Sequence, residues 1–370
     1  MRKQLSMLLA TALVSSTLMA CATSNQVAET TAAPTTTAVA KEETSAPTDK
    51  AEVTEAAEST TGISNEGYTI KPFKKEGTLK VALIPVTINT SYTMTINGAN
   101  ERIKTQGYDM EITVQAPAGN TSSIEEQGNI IENMIQQKVD AIALATESDS
   151  SMLPYLKEAE KAGIPLFFFN MTELDPQDNH FVTSIGYDQY AAGNTIGKWV
   201  ADHYGDKETK VAVLEGYPGI VNDMRMNGFK DAIADKSNIQ IVASQVANWT
   251  RADGQTVTES ILTANPDINV LYGDYDEMVL GGMVAIKDRG LQDKIDVVGY
   301  GATEDAINAI RAGEMVASVD SMEYYTGYDI VDAIHKFCVE GEEVETVINR
   351  DTVVYDQDNI DTHDDSVFAK

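Results

Sequence analysis

The chain has 370 residues, with 57 acidic side chains against 27 basic ones and a formal net charge of −30. So large an acidic excess excludes nucleic acid, or an anionic membrane face, as the partner of the folded surface. It does not select a cationic ligand, because most carboxylates at this density are solvated faces.

The first residues bear on the compartment. Arg2 and Lys3 form a positive n-region, and Leu5–Leu18 is a short apolar run of secretory length rather than a membrane span. It ends in Leu18-Met19-Ala20-Cys21, which resembles a bacterial lipoprotein signal. Residues 1–20 are therefore expected to be a signal peptide and Cys21 an acylated N-terminus, since two or more acyl chains anchor a protein stably. Residues 21–66 are Thr, Ala, Glu, Ser and Pro with almost no large apolar side chain, as a disordered tether would be. With Cys21 acylated, Cys338 stands alone and no intramolecular disulfide is expected; among Ile330, Ile334 and Phe337 it reads as a small core residue.

From Thr78 onward short apolar runs alternate with amphipathic stretches. Strands are expected at Thr78–Pro85, Met110–Val114, Ala141–Leu144 and Ile164–Phe169, with helices over about 93–106, 122–137 and 150–162 between them. A second set follows: strands Lys210–Glu215, Ile239–Ser244, Asn269–Tyr272 and Asp296–Tyr300, separated by helices over about 188–204, 221–235, 252–264 and 276–289. Val316–Val319, Tyr324–Glu340 and Thr352–Tyr355 close the chain as strand, helix and strand. Strand–helix alternation in two similar halves predicts an α/β protein of two doubly wound parallel-sheet lobes.

Short motifs in register along the body resemble one family. They are Asn97-Gly98-Ala99 with Gln106-Gly107-Tyr108, Asp140-Ala141-Ile142-Ala143-Leu144, and Ala162-Gly163-Ile164-Pro165. Gly186-Tyr187-Asp188 follows with Gly193 and Gly197, then Arg225-Met226-Asn227-Gly228-Phe229, and Asp276-Glu277-Met278 with Gly281. Val298-Gly299-Tyr300 and Asn359-Ile360 complete the series. The region 77–362 is similar to the type I periplasmic binding proteins of ABC importers, in the ribose/galactose-type sugar-binding cluster and in lipoprotein form. The resemblance implies lobes joined by a three-segment hinge. Lobe 1 would be 77–187 plus 322–348, lobe 2 188–321 plus 349–362, and 363–370 a tail. It also implies a small-molecule ligand, sugar or sugar-like, with no cofactor, an ABC permease and ATPase as partners, and a monomeric state.

Sugars need flat aromatic faces and fixed polar groups in a desolvated cleft. By the same resemblance Asn89 is an amide contact, and Ser91 and Tyr92 hold two positions that are usually aromatic. Asn170 stands where the family usually has Asp, Trp249 at a stacking position and Tyr275 at a frequent polar contact. Other positions depart from the pattern. Met171 and Asp223 replace arginines, although a one-residue gap makes Asn222 or Met224 possible matches for the second; Gly301 replaces Asp, and Ser321, beside Asp320, replaces Gln. Two cationic forks and a carboxylate are thus expected to be missing, which implies a ligand other than ribose.

Other function classes fit less well. His180, His203, His335 and His363 have no metal-ligand spacing, and neither a nucleophile elbow nor a phosphate-binding glycine loop is present. Of the candidate pocket residues only Asp223 and Asp320 are possible bases, so no enzyme is expected. A transcriptional regulator would need a DNA-binding headpiece where this chain has a signal and an acidic tether. Ligand sensing through a chemoreceptor or membrane kinase is the alternative to import.

Overall fold

The structure, a computed structural model, describes residues 65, 67–118, 123–171 and 180–368. The expected signal peptide, Cys21 and the tether before Asn65 lie outside the described residues.

The chain opens with β1 (Leu79–Ile84), α1 (Thr90–Gln106), β2 (Met110–Val114), α2 (Ile124–Gln137) and β3 (Ala141–Leu144). α3 (Asp149–Lys161), β4 (Leu166–Phe169), β5 (Thr183–Gly186) and α4 (Gln189–Tyr204) follow. Next come β6 (Thr209–Glu215), α5 (Ile220–Ile233), β7 (Ile239–Val246), α6 (Arg251–Ala264), β8 (Val270–Gly273) and α7 (Asp276–Asp288). The last elements are β9 (Asp296–Tyr300), α8 (Glu304–Arg311), β10 (Ala317–Asp320), α9 (Glu323–His335), β11 (Val347–Asn349) and β12 (Val353–Asp356).

These strands form two six-stranded sheets, in the orders β11-β5-β4-β3-β1-β2 and β12-β10-β9-β8-β6-β7. The first is wholly parallel, and in the second only β12 runs antiparallel, against β10. The protein is therefore two α/β lobes, as the strand–helix alternation implied. Three chain passages join them: after β5, between β10 and α9, and between β11 and β12. Every residue of β3 and β4 is buried, because helices cover both faces of the sheet. In both sheets the order reverses beside the first strand of the lobe, which opens a crevice at the strands' carboxyl ends.

Glycines set how closely the helices approach. A Cβ on Gly193 of α4 would lie 2.1 Å from the Arg225 carbonyl, and one on Gly228 of α5 2.1 Å from that of Tyr190. The two helices therefore meet backbone to backbone, which holds Arg225 against the start of α4.

Sequence patterning missed β5, α8 and β11. β5 reads Thr-Ser-Ile-Gly, too polar to form an apolar run, yet it is fully buried because β4 and β11 flank it. α9 ends at His335, and a π-type turn, Lys336–Glu340, carries the chain on. Cys338 in that turn is buried in the lobe 1 core beside Phe337. The body also starts earlier than 77: Asn65 donates to the Val182 carbonyl at 2.9 Å, and Tyr68 and Phe73 pack on the lobe 1 core. Nor is the segment after 362 free. Val367 is buried with Met94 and Tyr324, while Asp365 pairs with Arg311 at 2.7 Å.

Candidate functional site

A cavity of about 320 Å³ lies between the lobes at the carboxyl ends of the strands. Among the described residues, three hydrogen bonds cross from lobe to lobe between residues that line it. The Tyr217 phenol donates to Glu147 Oε1 at 2.8 Å, Thr90 Oγ1 to Glu277 Oε1 at 3.2 Å, and the Ser91 amide to the Tyr275 phenol oxygen at 3.3 Å.

Lobe 1 supplies the turns after β1, β3 and β4. Asn89 caps α1, its Oδ1 accepting from the Tyr92 amide at 3.0 Å, and lines the cavity as well. Ser91 and Tyr92 follow on the first turn of α1, with the Tyr92 ring edge-on to Phe169 at 6.1 Å. Glu147, just past β3, has its carboxyl pushed up by burial, against the lowering effects of the Tyr217 bond and of Arg225. Asn170 ends β4 with φ 55°, a left-handed geometry that Asn tolerates. Its Nδ2 donates to Glu323 Oε2 at 2.6 Å, and that oxygen also accepts from Thr95 at 3.0 Å. Burial raises the Glu323 carboxyl, while the Asn170 and Thr95 bonds and Arg225 oppose it.

Lobe 2 supplies aromatic faces and a guanidinium. Trp249 packs edge-on against Tyr217 at 5.9 Å and Tyr275 at 6.4 Å. Gly216 leaves room for the indole, since a Cβ there would lie 1.8 Å from it. Arg225 donates to Gln189 Oε1, the Asp274 carbonyl and the Tyr187 phenol oxygen, each at 2.7 Å. Its guanidinium also stacks 4.1 Å from the Tyr300 ring centre and 5.4 Å from that of Trp249. Three of its five N–H groups are thereby used, and Arg225 is among the residues that line the cavity. Burial works against its charge, and Tyr187, Tyr300, Asp274 and Glu323 outweigh that effect and hold its pKa above the usual guanidinium value.

Of the residues expected at the site, Asn89, Ser91, Tyr92, Asn170, Trp249 and Tyr275 line this cavity together. Met171, Asp223, Gly301, Asp320 and Ser321 do not. Met171 borders a separate pocket of about 20 Å³ behind Asn170. Asp223 is exposed on an outer groove with Tyr190 and Asp231, because two helical positions turn it away from Arg225; Asn222, three positions from Arg225, shares its face and lines the cavity. Gly301 lies behind Tyr275, with φ 125° and the Asp276 carboxylate close by. Asp320, the last residue of β10, and Ser321 after it are buried, and Asp320 accepts from the Met322 amide at 2.7 Å.

No arginine stands at the Met171 and Asp223 positions, but Arg225 brings a guanidinium to the cavity lining from a position not expected to contribute. Motif matching had placed Arg225 in a signature and sought the binding arginine two residues earlier. Glu147, Gln189, Tyr217, Asn222, Glu277 and Glu323 also line the cavity. Most lie within a few residues of a strand's carboxyl end, a signal that the general rule for open α/β sheets makes readable.

Residues 81–343 match the periplasmic binding protein domain family. The galactofuranose-binding protein YtfQ of Escherichia coli (strain K12) is 32% identical over 224 residues, which span 59% of this chain and 70% of that protein. The ribose import binding protein RbsB of Bacillus subtilis (strain 168) is 31% identical over 248 residues, covering 66% of this chain and 76% of that one. Among solved structures, an ABC transporter periplasmic solute binding protein from Actinobacillus succinogenes 130z with bound D-allose superposes with a TM-score of 0.70 at 30% identity. That superposition covers 77% of this chain and 100% of that one. With two α/β lobes closed over a cavity at their strand ends, the chain belongs to the periplasmic binding protein family, in its type I sugar-binding cluster.

Proposed function

We propose that this protein is the extracytoplasmic solute-binding component of an ABC importer, capturing a small carbohydrate between its lobes and delivering it to a permease and ATPase. The observation that carries this reading is the make-up of the cavity between the lobes. Tyr92, Tyr217, Trp249 and Tyr275 give it aromatic surface, and Arg225, Glu147, Asn170 and Asn222 give it polar groups, with both lobes contributing to each set. A volume of about 320 Å³ is at the small end of ligand pockets and suits a monosaccharide. Galactofuranose and ribose in the names of relatives, and D-allose in a similar structure, support the same class. The chain does no covalent chemistry and acts as a monomer held to the membrane through acylated Cys21. Arg225 also weakens the sequence-based argument against ribose, so ribose belongs among the candidates.

A thermal-shift screen against a carbohydrate library tests the proposal. A ligand specific for the native state raises stability by RT ln(1 + [L]/Kd). A saturable shift with one or a few monosaccharides supports it; shifts with amino acids or peptides and none with any carbohydrate would overturn it.

A further inference from the structure

The chain after β12 is rooted in lobe 2 and ends on lobe 1. Asn359 ties its start to β12, its Nδ2 donating to the Val354 carbonyl at 2.7 Å and its Oδ1 accepting from the Asp356 amide at 2.9 Å. Ile360 is buried in the lobe 2 core, and the turn Ile360–Thr362 packs on α8. Arg311 of α8 also holds Asp365 at 2.7 Å. The His363 ring stacks on Phe368 and lies edge-on to Tyr355 of β12, while its Nδ1 meets Asp365 Oδ1 at 2.9 Å. These contacts stiffen the segment and fix it to lobe 2.

Its far end meets lobe 1. The turn Asp365–Phe368 packs on α1, and Val367, 5% exposed, is buried with Met94 of α1 and Tyr324 of α9. The Tyr325 phenol, also on α9, donates to Asp364 Oδ2 at 3.3 Å. α9 belongs to lobe 1, since it packs on α1, β4 and β5. None of these residues lines the cavity.

We propose that residues 359–368 are a strap that holds the lobes together from outside the ligand site and so sets the open–closed ratio of the free protein. Rotation about the three joining passages moves α1 and α9 as one body against α8 and β12. A strap stiffened on lobe 2 does not follow them, so opening lifts Val367 off Met94 and Tyr324 and returns apolar surface to water. The burial of Val367 therefore favours the closed arrangement, whatever ligand the cleft takes.

Fluorophores at Ile88→Cys on lobe 1 and Ile220→Cys on lobe 2, both exposed, report the distance between the lobes molecule by molecule, without ligand. Val367→Ala deletes two buried methyl groups and should raise the open-to-closed ratio about 10-fold. Removing residues 364–370 should raise it at least as much. A distance distribution unchanged in both folded variants, or shifted toward the closed form, would overturn the proposal. So would a lowered melting temperature with no change in distance, because Val367 would then be only part of the core. Should the shortened chain fail to fold, Val367→Ala decides by itself. Ligand is absent throughout, so the outcome does not depend on the carbohydrate reading.

Discussion

Replacing Tyr217 with Phe removes one hydroxyl and leaves the ring in place. In the closed arrangement that hydroxyl donates to Glu147 Oε1 at 2.8 Å, across the mouth from lobe 2 to lobe 1. Burial already pushes the Glu147 carboxyl up, and the Tyr217 bond is the larger of the two effects that oppose it. A hydrogen bond to such a group contributes about 1.5–3 kcal/mol. In an opened cleft both groups reach water, so the loss falls almost wholly on the closed form. At about 1.4 kcal/mol per decade, Tyr217→Phe should shift the open–closed ratio by about 10- to 100-fold. Fluorophores at Ile88→Cys and Ile220→Cys, exposed positions on the two lobes, report the distance between them, and buried Cys338 escapes labelling. The expected result is a longer mean distance without ligand and affinity weakened by up to that factor, less where the closed form still predominates. An unchanged distance distribution with unchanged affinity would show that this bond does not hold the mouth closed.

Trp249→Ala should weaken carbohydrate binding by about 1–3 kcal/mol, in keeping with loss of an aromatic wall, with little change in melting temperature. Equal affinity with a lowered melting temperature would make Trp249 a core residue instead. Burial pushes the Asp320 carboxyl up from its ordinary 3.8 to about 7, so the folded chain holds a proton that the unfolded chain releases. Its contribution is full below about pH 4 and is lost as pH rises to about 7. Asp320→Asn keeps the acceptor for the Met322 amide, so it should raise the melting temperature at pH 8 and leave it unchanged at pH 4. Cys21→Ser should move the protein out of the membrane fraction, and acylation persisting on the N-terminal peptide by mass spectrometry would refute the anchor.

The architecture was legible in the sequence because its parallel strands are short, mainly apolar runs separated by amphipathic stretches of helix length. Met110–Val114, Ala141–Leu144 and Asp296–Tyr300 were delimited to the residue. β5 escaped because what buries Thr183 and Ser184 is the neighbouring strands rather than their own side chains. The cleft was readable where a residue directly follows a strand, as Asn89 and Asn170 nearly do. It was misread within α5, where one register step separates exposed Asp223 from inward-facing Asn222. Helical phase could have corrected this, since the buried face of α5 includes Asn222, Arg225, Met226 and Phe229. The carboxylates Glu147 and Glu323 carried no sequence signal of their own, and their roles come from partners on distant segments.

The central claim is that the cavity between the lobes holds one small carbohydrate, with Arg225 reaching it. Calorimetric titration of the best sugar from the screen into wild-type protein and Arg225→Met tests it most directly. One site per chain with micromolar affinity in the wild type, and binding weakened beyond detection in Arg225→Met while the variant stays folded, is the expected result. Wild-type affinity in the folded variant would contradict it and place the ligand elsewhere.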